Sequence, residues 1–198
     1  MRRSDLFLCY DVWMVMSGRT IQIFFLVLVA LSLTRVPASA GELYLLPGQS
    51  DEALSALLKS IDHSKNSVKI TIYNFTHKKI AKRLKAAAKR GVKVEIIFDA
   101  ASASSDKRRS MFYYLAKYNN IRVYKLKGRY IKRQHRYGIM HMKGAVFDHR
   151  RIVFGSANWT YSAFGKNYEM LYVEDDYRMA KAFEKAFEKY KKESVPFR

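Results

Sequence analysis

Three consecutive segments with different hydrophobic periods constrain the fold most strongly. Residues 68–75 and 92–98 are mostly apolar and rich in β-branched or aromatic side chains, as interior strands are. Residues 76–90 between them carry an apolar stripe at helical spacing, and Gly91 follows as a helix-ending residue. A strand, a helix and a strand joined by short turns predict two parallel strands linked by a right-handed crossover.

The alternation continues along the rest of the chain. Helices are predicted over 50–61, 106–118 and 176–192, and strands over 42–46, 121–126, 141–148, 151–154 and 167–173. No internal repeat interrupts the pattern. Strands alternating with helices predict an α/β sandwich.

The first 40 residues differ from the rest. An apolar run at 21–33 follows a basic residue and precedes an Ala-x-Ala sequence, the pattern of a secretory signal cleaved after Ala40. We therefore predict that 1–40 is a signal peptide, or a membrane anchor if uncleaved, and that 41–198 is one exported domain, periplasmic or membrane-anchored. Acidic residues near the start are atypical of a signal, so the true start is expected at Met14 or Met16.

The charge of the chain points to an anionic partner. The formal net charge is +20, and the four arginines and two aspartates of the leader account for +2, which leaves +18 on residues 41–198. This charge indicates that the partner is nucleic acid or an acidic membrane surface. The simpler interpretation is a generally basic protein with solvated lysines. The only cysteine, Cys9, lies in the leader, so residues 41–198 hold no disulfide and no cysteine-based zinc site.

A cluster of chemically useful side chains lies between residues 141 and 158. Alternation along a strand puts His141 and Lys143 on one face. Ser156 and Asn158 follow a second short strand, and Asn158 is expected to cap a helix. An imidazole, an ammonium, a hydroxyl and a carboxamide together suit a phosphodiester, because they supply a nucleophile, a cation and neutral donors.

These residues resemble the signature of the phospholipase D superfamily. The signature reads His141-x-Lys143, then Asp148 after four residues, then Gly155-Ser156-x-Asn158 after six. Glu169 follows eleven residues after Asn158. A glutamate at this spacing resembles the pattern of the Nuc-type bacterial endonucleases, which carry one copy of the motif. The resemblance covers residues 41–195 and implies a phospholipase D-like α-β-α sandwich with a mixed central β-sheet flanked by helices.

The resemblance implies roles for the site residues. His141 is expected to attack phosphorus and form a phosphohistidine, with Glu169 accepting from its second ring nitrogen. Lys143 and Asn158 are expected to bind the phosphate oxygens, with Ser156 donating its hydroxyl or orienting Asn158. Asp148 belongs to the signature, but its spacing favours a structural role over a catalytic one.

One motif copy supplies one histidine, and the leaving oxygen needs a proton from a second imidazole. A two-fold homodimer in which two copies of His141 share one site would provide it. Lys143 and the same lysine of the second subunit supply positive charge, so neither a metal nor another cofactor is expected.

A basic segment leads into the motif, and its Tyr and His side chains are interleaved with Lys and Arg, as in loops that follow a phosphate backbone. The candidate substrate-binding residues are Lys127, Arg129, Tyr130, Lys132, Arg133, His135, Arg136 and Tyr137. The simpler interpretation is a solvated loop. His63, His77 and His149 are predicted to be surface histidines.

Three functions remain open. The leading interpretation is a metal-independent endonuclease that cleaves DNA with little sequence preference, because backbone contacts carry no base information. Whether it also acts on single-stranded DNA or RNA is left open by the sequence. The first alternative is a phospholipase D-type hydrolase acting on anionic phospholipids, which would need an apolar channel. The second is a nucleic-acid binder without activity, which would not need this set of site residues.

Overall fold

The structure is a computed structural model that describes residues 40–102 and 109–197. The leader predicted for residues 1–40 lies almost entirely outside the described ranges. Within those ranges, no helix has both the length and the apolar character needed to cross a membrane.

Ten strands and four helices make up the described part of the chain. The strands are β1 (Glu42–Leu46), β2 (Ser67–Ile72), β3 (Lys93–Asp99), β4 (Ile121–Leu126), β5 (Tyr130–Ile131), β6 (Arg136–Tyr137), β7 (Lys143–Phe147), β8 (Arg151–Gly155), β9 (Glu169–Asp175) and β10 (Val195–Phe197). The helices are α1 (Ser50–His63), α2 (Lys78–Lys89), α3 (Met111–Leu115) and α4 (Tyr177–Glu193).

Eight of these strands form one mixed sheet in the order β1-β9-β8-β7-β2-β3-β4-β10. The strands β2, β3 and β4 are parallel, as the crossover pattern predicts. The other neighbours pair antiparallel, including β7 with β2, where Lys143 lies opposite Ile72. The two remaining strands, β5 and β6, form a separate hairpin.

Helices cover both faces of the sheet. On one face α1, α2 and α3 pack on the main core, which includes Ile70, Ile96 and Leu84. On the other face α4 is the one helix that packs among the described residues, with Phe187 buried against Ile97. The arrangement is the expected α-β-α sandwich, which confirms the predicted fold class.

The element ends differ from the predicted ones where tertiary contacts set them. The helix expected over 106–118 is, in the described residues, one and a half turns at Met111–Leu115. The C-terminal residues add a strand, β10, beside β4, although residues 195–197 carry no strand pattern. The predicted basic loop is a hairpin whose two strands are joined by a short 3₁₀ turn at Lys132–Gln134.

Candidate active site

His141 and Lys143 lie where β7 begins, next to the end of β2. The His141 side chain is exposed, and the Tyr73 ring meets it edge-on with 4.7 Å between centroids. The Lys143 ammonium donates to the His141 carbonyl oxygen at 2.8 Å and lies 5.4 Å from the centre of the Tyr73 ring. The structure thus brings an imidazole, an ammonium and a phenol ring together.

Lys143 is unusual among the lysines because it is only 9% exposed. Burial lowers its pKa from the ordinary lysine value, and attraction to the Glu169 carboxylate opposes that change. A lysine in this setting is a weakly hydrated cation, which attracts an anion more strongly than a surface lysine does.

Asn158 is held by the segment that follows β2. Its Oδ1 accepts from the Asn74 backbone N–H at 3.1 Å, so its Nδ2 is the group left to donate to a ligand. Trp159, the next residue, is buried and bonds back to the same segment: its N–H donates to the Asn74 carbonyl, and its carbonyl accepts from Thr76 and His77. The turn that carries Asn158 is therefore fixed on both sides.

The expectation that Asn158 caps a helix is wrong. Residues 160–166 form turns rather than a helix, and Thr160 Oγ1 accepts from the Ala163 N–H at 3.1 Å. The Asn158 carboxamide instead accepts a hydrogen bond from Asn74. Asn74 is distant in sequence, so no local pattern indicated this contact.

Ser156 and Glu169 form a linked pair across β8 and β9. The Ser156 hydroxyl donates to a Glu169 carboxylate oxygen and accepts from the Met170 N–H at 3.1 Å. Asn167 Nδ2 donates to the other Glu169 oxygen at 3.3 Å. Ser156 therefore orients Glu169 and not Asn158.

The expected hydrogen bond between Glu169 and His141 is not formed in this structure. Among the described residues, the His141 ring has no hydrogen-bond partner, and Tyr73 is its ring contact. Glu169 instead acts on the site through its charge beside Lys143.

Asp148 lies at the opposite end of β7 from His141, roughly 20 Å away at about 3.3 Å per residue. Its carboxylate accepts from the backbone N–H groups of Lys65, Asn66 and Ser67 at 2.7–2.9 Å. Burial opposes ionisation, but these backbone donors outweigh it and lower the Asp148 pKa. The geometry agrees with the structural interpretation, because Asp148 holds the turn that precedes β2.

The basic hairpin ends just before the site. Tyr130 and Tyr137 face each other with 5.0 Å between ring centroids, and the Lys127 ammonium lies 4.6 Å from the Tyr137 ring centre. The Tyr130 hydroxyl is 3.5 Å from His135 Nδ1, and the Arg136 Nε donates to Gln134. All of the predicted substrate-binding residues in this segment are exposed: Lys127, Arg129, Tyr130, Lys132, Arg133, His135, Arg136 and Tyr137.

The sequence did not predict the positions that Asp99 and His77 occupy near the site. Asp99, buried at the end of β3, accepts from the Met140 N–H at 2.8 Å and so holds the backbone just before His141. The sequence feature that could have indicated Asp99 is a carboxylate directly after a predicted buried strand. His77, predicted to be a surface histidine, is 4% exposed beneath Tyr161 and Phe164, and burial lowers its pKa.

In the described ranges, no group of three or more His, Cys, Asp or Glu side chains is arranged to hold a metal ion.

Comparison with known proteins shows which family has this sequence and fold. Residues 57–191 match the family described as cardiolipin synthase, PLD-like domain. The fold is similar to NucT from Helicobacter pylori, with a TM-score of 0.77 and 40% identity over 80% of this chain and 99% of that chain. It is also similar to Nuc from Salmonella typhimurium, a phospholipase D family member, with a TM-score of 0.68 and 26% identity over 80% of this chain and 98% of that chain.

Among curated proteins, the chain is similar to the mitochondrial cardiolipin hydrolase of Xenopus laevis. The two are 30% identical over 147 residues, which are 74% of this chain. The chain spans 65% of the length of that relative, slightly less than two thirds.

Proposed function

This chain belongs to the phospholipase D superfamily of phosphodiesterases and is of the Nuc type, and from that premise we propose that it is a metal-independent endonuclease with little sequence preference. The observation that carries the proposal is the exposed His141 imidazole beside the buried Lys143, both against Tyr73, with Asn158 held at the neighbouring Asn74. A nucleophile next to a desolvated cation and an oriented donor suits attack on an anionic diester.

In the proposed reaction, a His141 ring nitrogen attacks phosphorus and the bond from phosphorus to the leaving oxygen breaks. The leaving oxygen takes a proton from a second imidazole, which is then neutral. Water attacks the phosphohistidine, gives its proton to that imidazole and releases His141 and a phosphate monoester. Lys143 and Asn158 Nδ2 stabilise the oxygens on which negative charge builds up.

Glu169 favours the charged form of Lys143 in this scheme. Burial lowers the Lys143 pKa, and the Glu169 carboxylate, held by Ser156 and Asn167, opposes that effect. This role requires Glu169 to stay near Lys143 and does not require a bond to His141.

The second imidazole is proposed to come from a second copy of the chain. His77 cannot serve, because it is buried beneath Tyr161 and Phe164 and cannot reach a leaving group at the surface. A two-fold dimer would place the His141 residues of both copies in one site.

An apolar surface beside His141 supports the dimer. Helix α4 leaves the edge of its sheet face uncovered, where Leu45, Met170 and Phe154 are 36–57% exposed. A cavity of 430 Å³ continues this surface past Met142 to His141. We expect Phe154→Glu to give a monomer by analytical ultracentrifugation and to lose nuclease activity, whereas an active monomer would contradict the shared site.

The nucleic-acid substrate is supported by the charge of +18 on residues 41–198 and by the exposed basic hairpin that ends near His141. The similarity to the nucleases NucT and Nuc points the same way. Lysine and arginine contacts to phosphates are independent of base sequence, so cleavage is expected on single-stranded DNA, and on RNA, with little preference.

A hydrolase acting on anionic phospholipids is the second candidate, because the apolar cavity beside His141 could also hold an acyl chain. The relative from Xenopus laevis carries the name cardiolipin hydrolase, which agrees with this candidate. The dimer and the acyl chain would compete for the same surface.

One experiment separates these candidates. Purified wild-type protein and His141→Ala are incubated with single-stranded DNA, duplex DNA, RNA and cardiolipin vesicles, all in excess EDTA. Cleavage of nucleic acid that survives EDTA and is lost in His141→Ala is the expected result. Release of lipid headgroups without cleavage of nucleic acid would favour the second candidate, and binding without either reaction would leave a nucleic-acid binder.

The leader is proposed to export the domain, by cleavage after Ala40 or as an anchor. Its support is the apolar run followed by Ala-x-Ala. N-terminal sequencing of the protein recovered from fractionated cells tests it, and a start at Gly41 outside the cytoplasm is expected.

A further inference from the structure

A second cavity lies between α2 and α3, separate from the groove beside His141. Its volume is 340 Å³, within the range of small-ligand sites. The cavity is lined by Lys78, Lys82, Ser110, Met111, Tyr113, Tyr114 and Lys117. The basic hairpin contributes none of these residues.

The lysines of this cavity have no acidic partner among the residues that the structure describes. On the side of α2 that contacts α1, Arg83 pairs with Asp62 at 2.8 Å, and Arg90, which follows α2, donates to backbone carbonyls at the end of α1. Lys78, Lys82 and Lys117, by contrast, form no ion pair within the described ranges. Arg83 and Arg90 thus join α2 to α1, whereas Lys78 and Lys82 line the cavity without an ion pair to any described residue.

Aromatic rings and a hydroxyl complete the lining. Tyr113 packs edge-on against Phe197, with 4.8 Å between ring centroids. The Lys85 ammonium, one turn along α2 from Lys82, lies 5.7 Å from the Tyr114 ring centre. The Ser110 hydroxyl oxygen is buried and has no hydrogen-bond partner among the described residues. The cavity thus offers cations for a phosphate and ring surfaces for a base.

Both walls of the cavity begin at the edge of the sheet that carries the catalytic residues. The Lys78 N–H donates to the Tyr161 hydroxyl at 3.3 Å, and Tyr161 stacks on His77 only three residues after Asn158. The other wall starts at Met111, whose N–H donates to the Phe75 carbonyl just beyond β2. Tyr161 and Phe75 thus connect the two walls of the cavity to the turn that carries Asn158 and to the end of β2.

We propose that this cavity is a subsite for the polynucleotide substrate, holding one nucleotide of the strand beyond the scissile phosphate. The inference rests on the proposed nuclease function and deepens it. Lys78, Lys82 and Lys117 neutralise the phosphate, and a base lies against Tyr113 or Tyr114. A polynucleotide fits better than a lipid because the cavity joins charge to aromatic rings, and not to an aliphatic surface.

The test compares two triple variants that lose the same charge. Lys78→Gln, Lys82→Gln and Lys117→Gln are combined in one, and the exposed Lys93→Gln, Lys185→Gln and Lys189→Gln in the other. For a single strand of about 20 nucleotides, the cavity variant should raise KM roughly 10- to 100-fold with kcat within about twofold, and should reduce the slope of log affinity against log salt by about 2. The control variant should change KM by less than about threefold.

A short substrate distinguishes the subsite from damage to the active site. Bis(p-nitrophenyl) phosphate has no neighbouring nucleotide, so both variants should hydrolyse it at the wild-type rate. Equal effects of the two variants on the long strand, or a loss on the short diester, would overturn the subsite. If the wild type cleaves no nucleic acid, the nuclease proposal fails; oligonucleotide affinity, measured by anisotropy, then decides the subsite separately.

Discussion

The Tyr73 ring lies edge-on to the His141 imidazole, at an interplanar angle of 66° and a centroid distance of 4.7 Å. Among the described residues this is the contact that limits rotation of the imidazole, because no hydrogen bond holds the ring. The same Tyr73 ring faces the Lys143 ammonium. Tyr73 is therefore a positioning residue for both groups.

Removal of the Tyr73 ring should impair the chemical step. We expect Tyr73→Ala to lower kcat by roughly 10- to 100-fold, because small misplacements of a nucleophile are costly. Tyr73→Phe keeps the ring and should stay within about threefold of wild type, which makes it the matched control. Steady-state kinetics on a small diester give both values, and equal losses in the two variants would assign the effect to the hydroxyl.

Asp99 should matter for activity through the backbone of Met140. Its carboxylate accepts from Ala101 and Ser102 with one oxygen and from Met140 with the other. An asparagine has a single acceptor oxygen, so Asp99→Asn must face one of these two groups with a donor. We expect about tenfold lower kcat and a loss of about 1–3 kcal/mol in unfolding free energy, measured by urea denaturation. Unchanged kcat would show that the position of Met140 does not control His141.

Gly155 should tolerate no side chain. A Cβ there would overlap the Met170 carbonyl oxygen, a backbone atom that cannot move without separating β8 from β9. Because Ser156 and Glu169 are joined across these strands, Gly155→Ala should disturb the active site as well as stability. We expect a lower melting temperature and a loss of activity in the fraction that stays folded. Gly48→Ala, where the nearest atom is 3.8 Å away, is the control and should behave like wild type.

Asp148 should affect stability without affecting catalysis. Its removal in Asp148→Ala leaves three backbone N–H groups without their acceptor, at a cost of about 2–4 kcal/mol, while kcat stays within about twofold. Because the folded-state pKa is lowered, this stabilisation is complete above the ordinary aspartate pKa near 3.9 and is lost as the pH falls through the folded value. Denaturation curves at several pH values should therefore converge for the two proteins in acid.

His77 should make the fold sensitive to acid in another pH range. Burial lowers its pKa, so the folded protein binds the proton more weakly than the unfolded chain does. The stability is full above the ordinary histidine pKa of about 6.5 and falls as the pH drops below it. We expect the unfolding free energy to fall more for wild type than for His77→Phe between about pH 7.5 and pH 5. Equal pH dependence in both proteins would rule out His77 as the source.

Local periodicity was enough to predict the architecture. β2, α2 and β3 each carry a hydrophobic pattern that their sheet and helix positions satisfy, and α4 shows its buried face at Phe187. β10 could not be predicted in this way, because its three residues become a strand by pairing with β4. The extent of α3 depends on packing in the same way.

The sequence named candidate site residues but not their contacts. The structure brings His141 and Lys143 together where β7 begins, beside Tyr73. The partners of these residues are remote in sequence, as with Asn74 for Asn158 and Asp99 for Met140, and local preferences carry no information about them. His77 is buried by Tyr161 and Phe164, more than eighty positions away, so its exposure could not be inferred from its own neighbours.

Trp159 makes the turn that carries Asn158 observable by its own fluorescence. The chain has two tryptophans, Trp13 in the predicted leader and Trp159, so a domain starting at residue 41 would carry one emitting indole. That indole is 1% exposed and lies edge-on to Phe75, next to Asn158. Its emission and its quenching would report opening of this turn separately from the rest of the sheet, without any attached label.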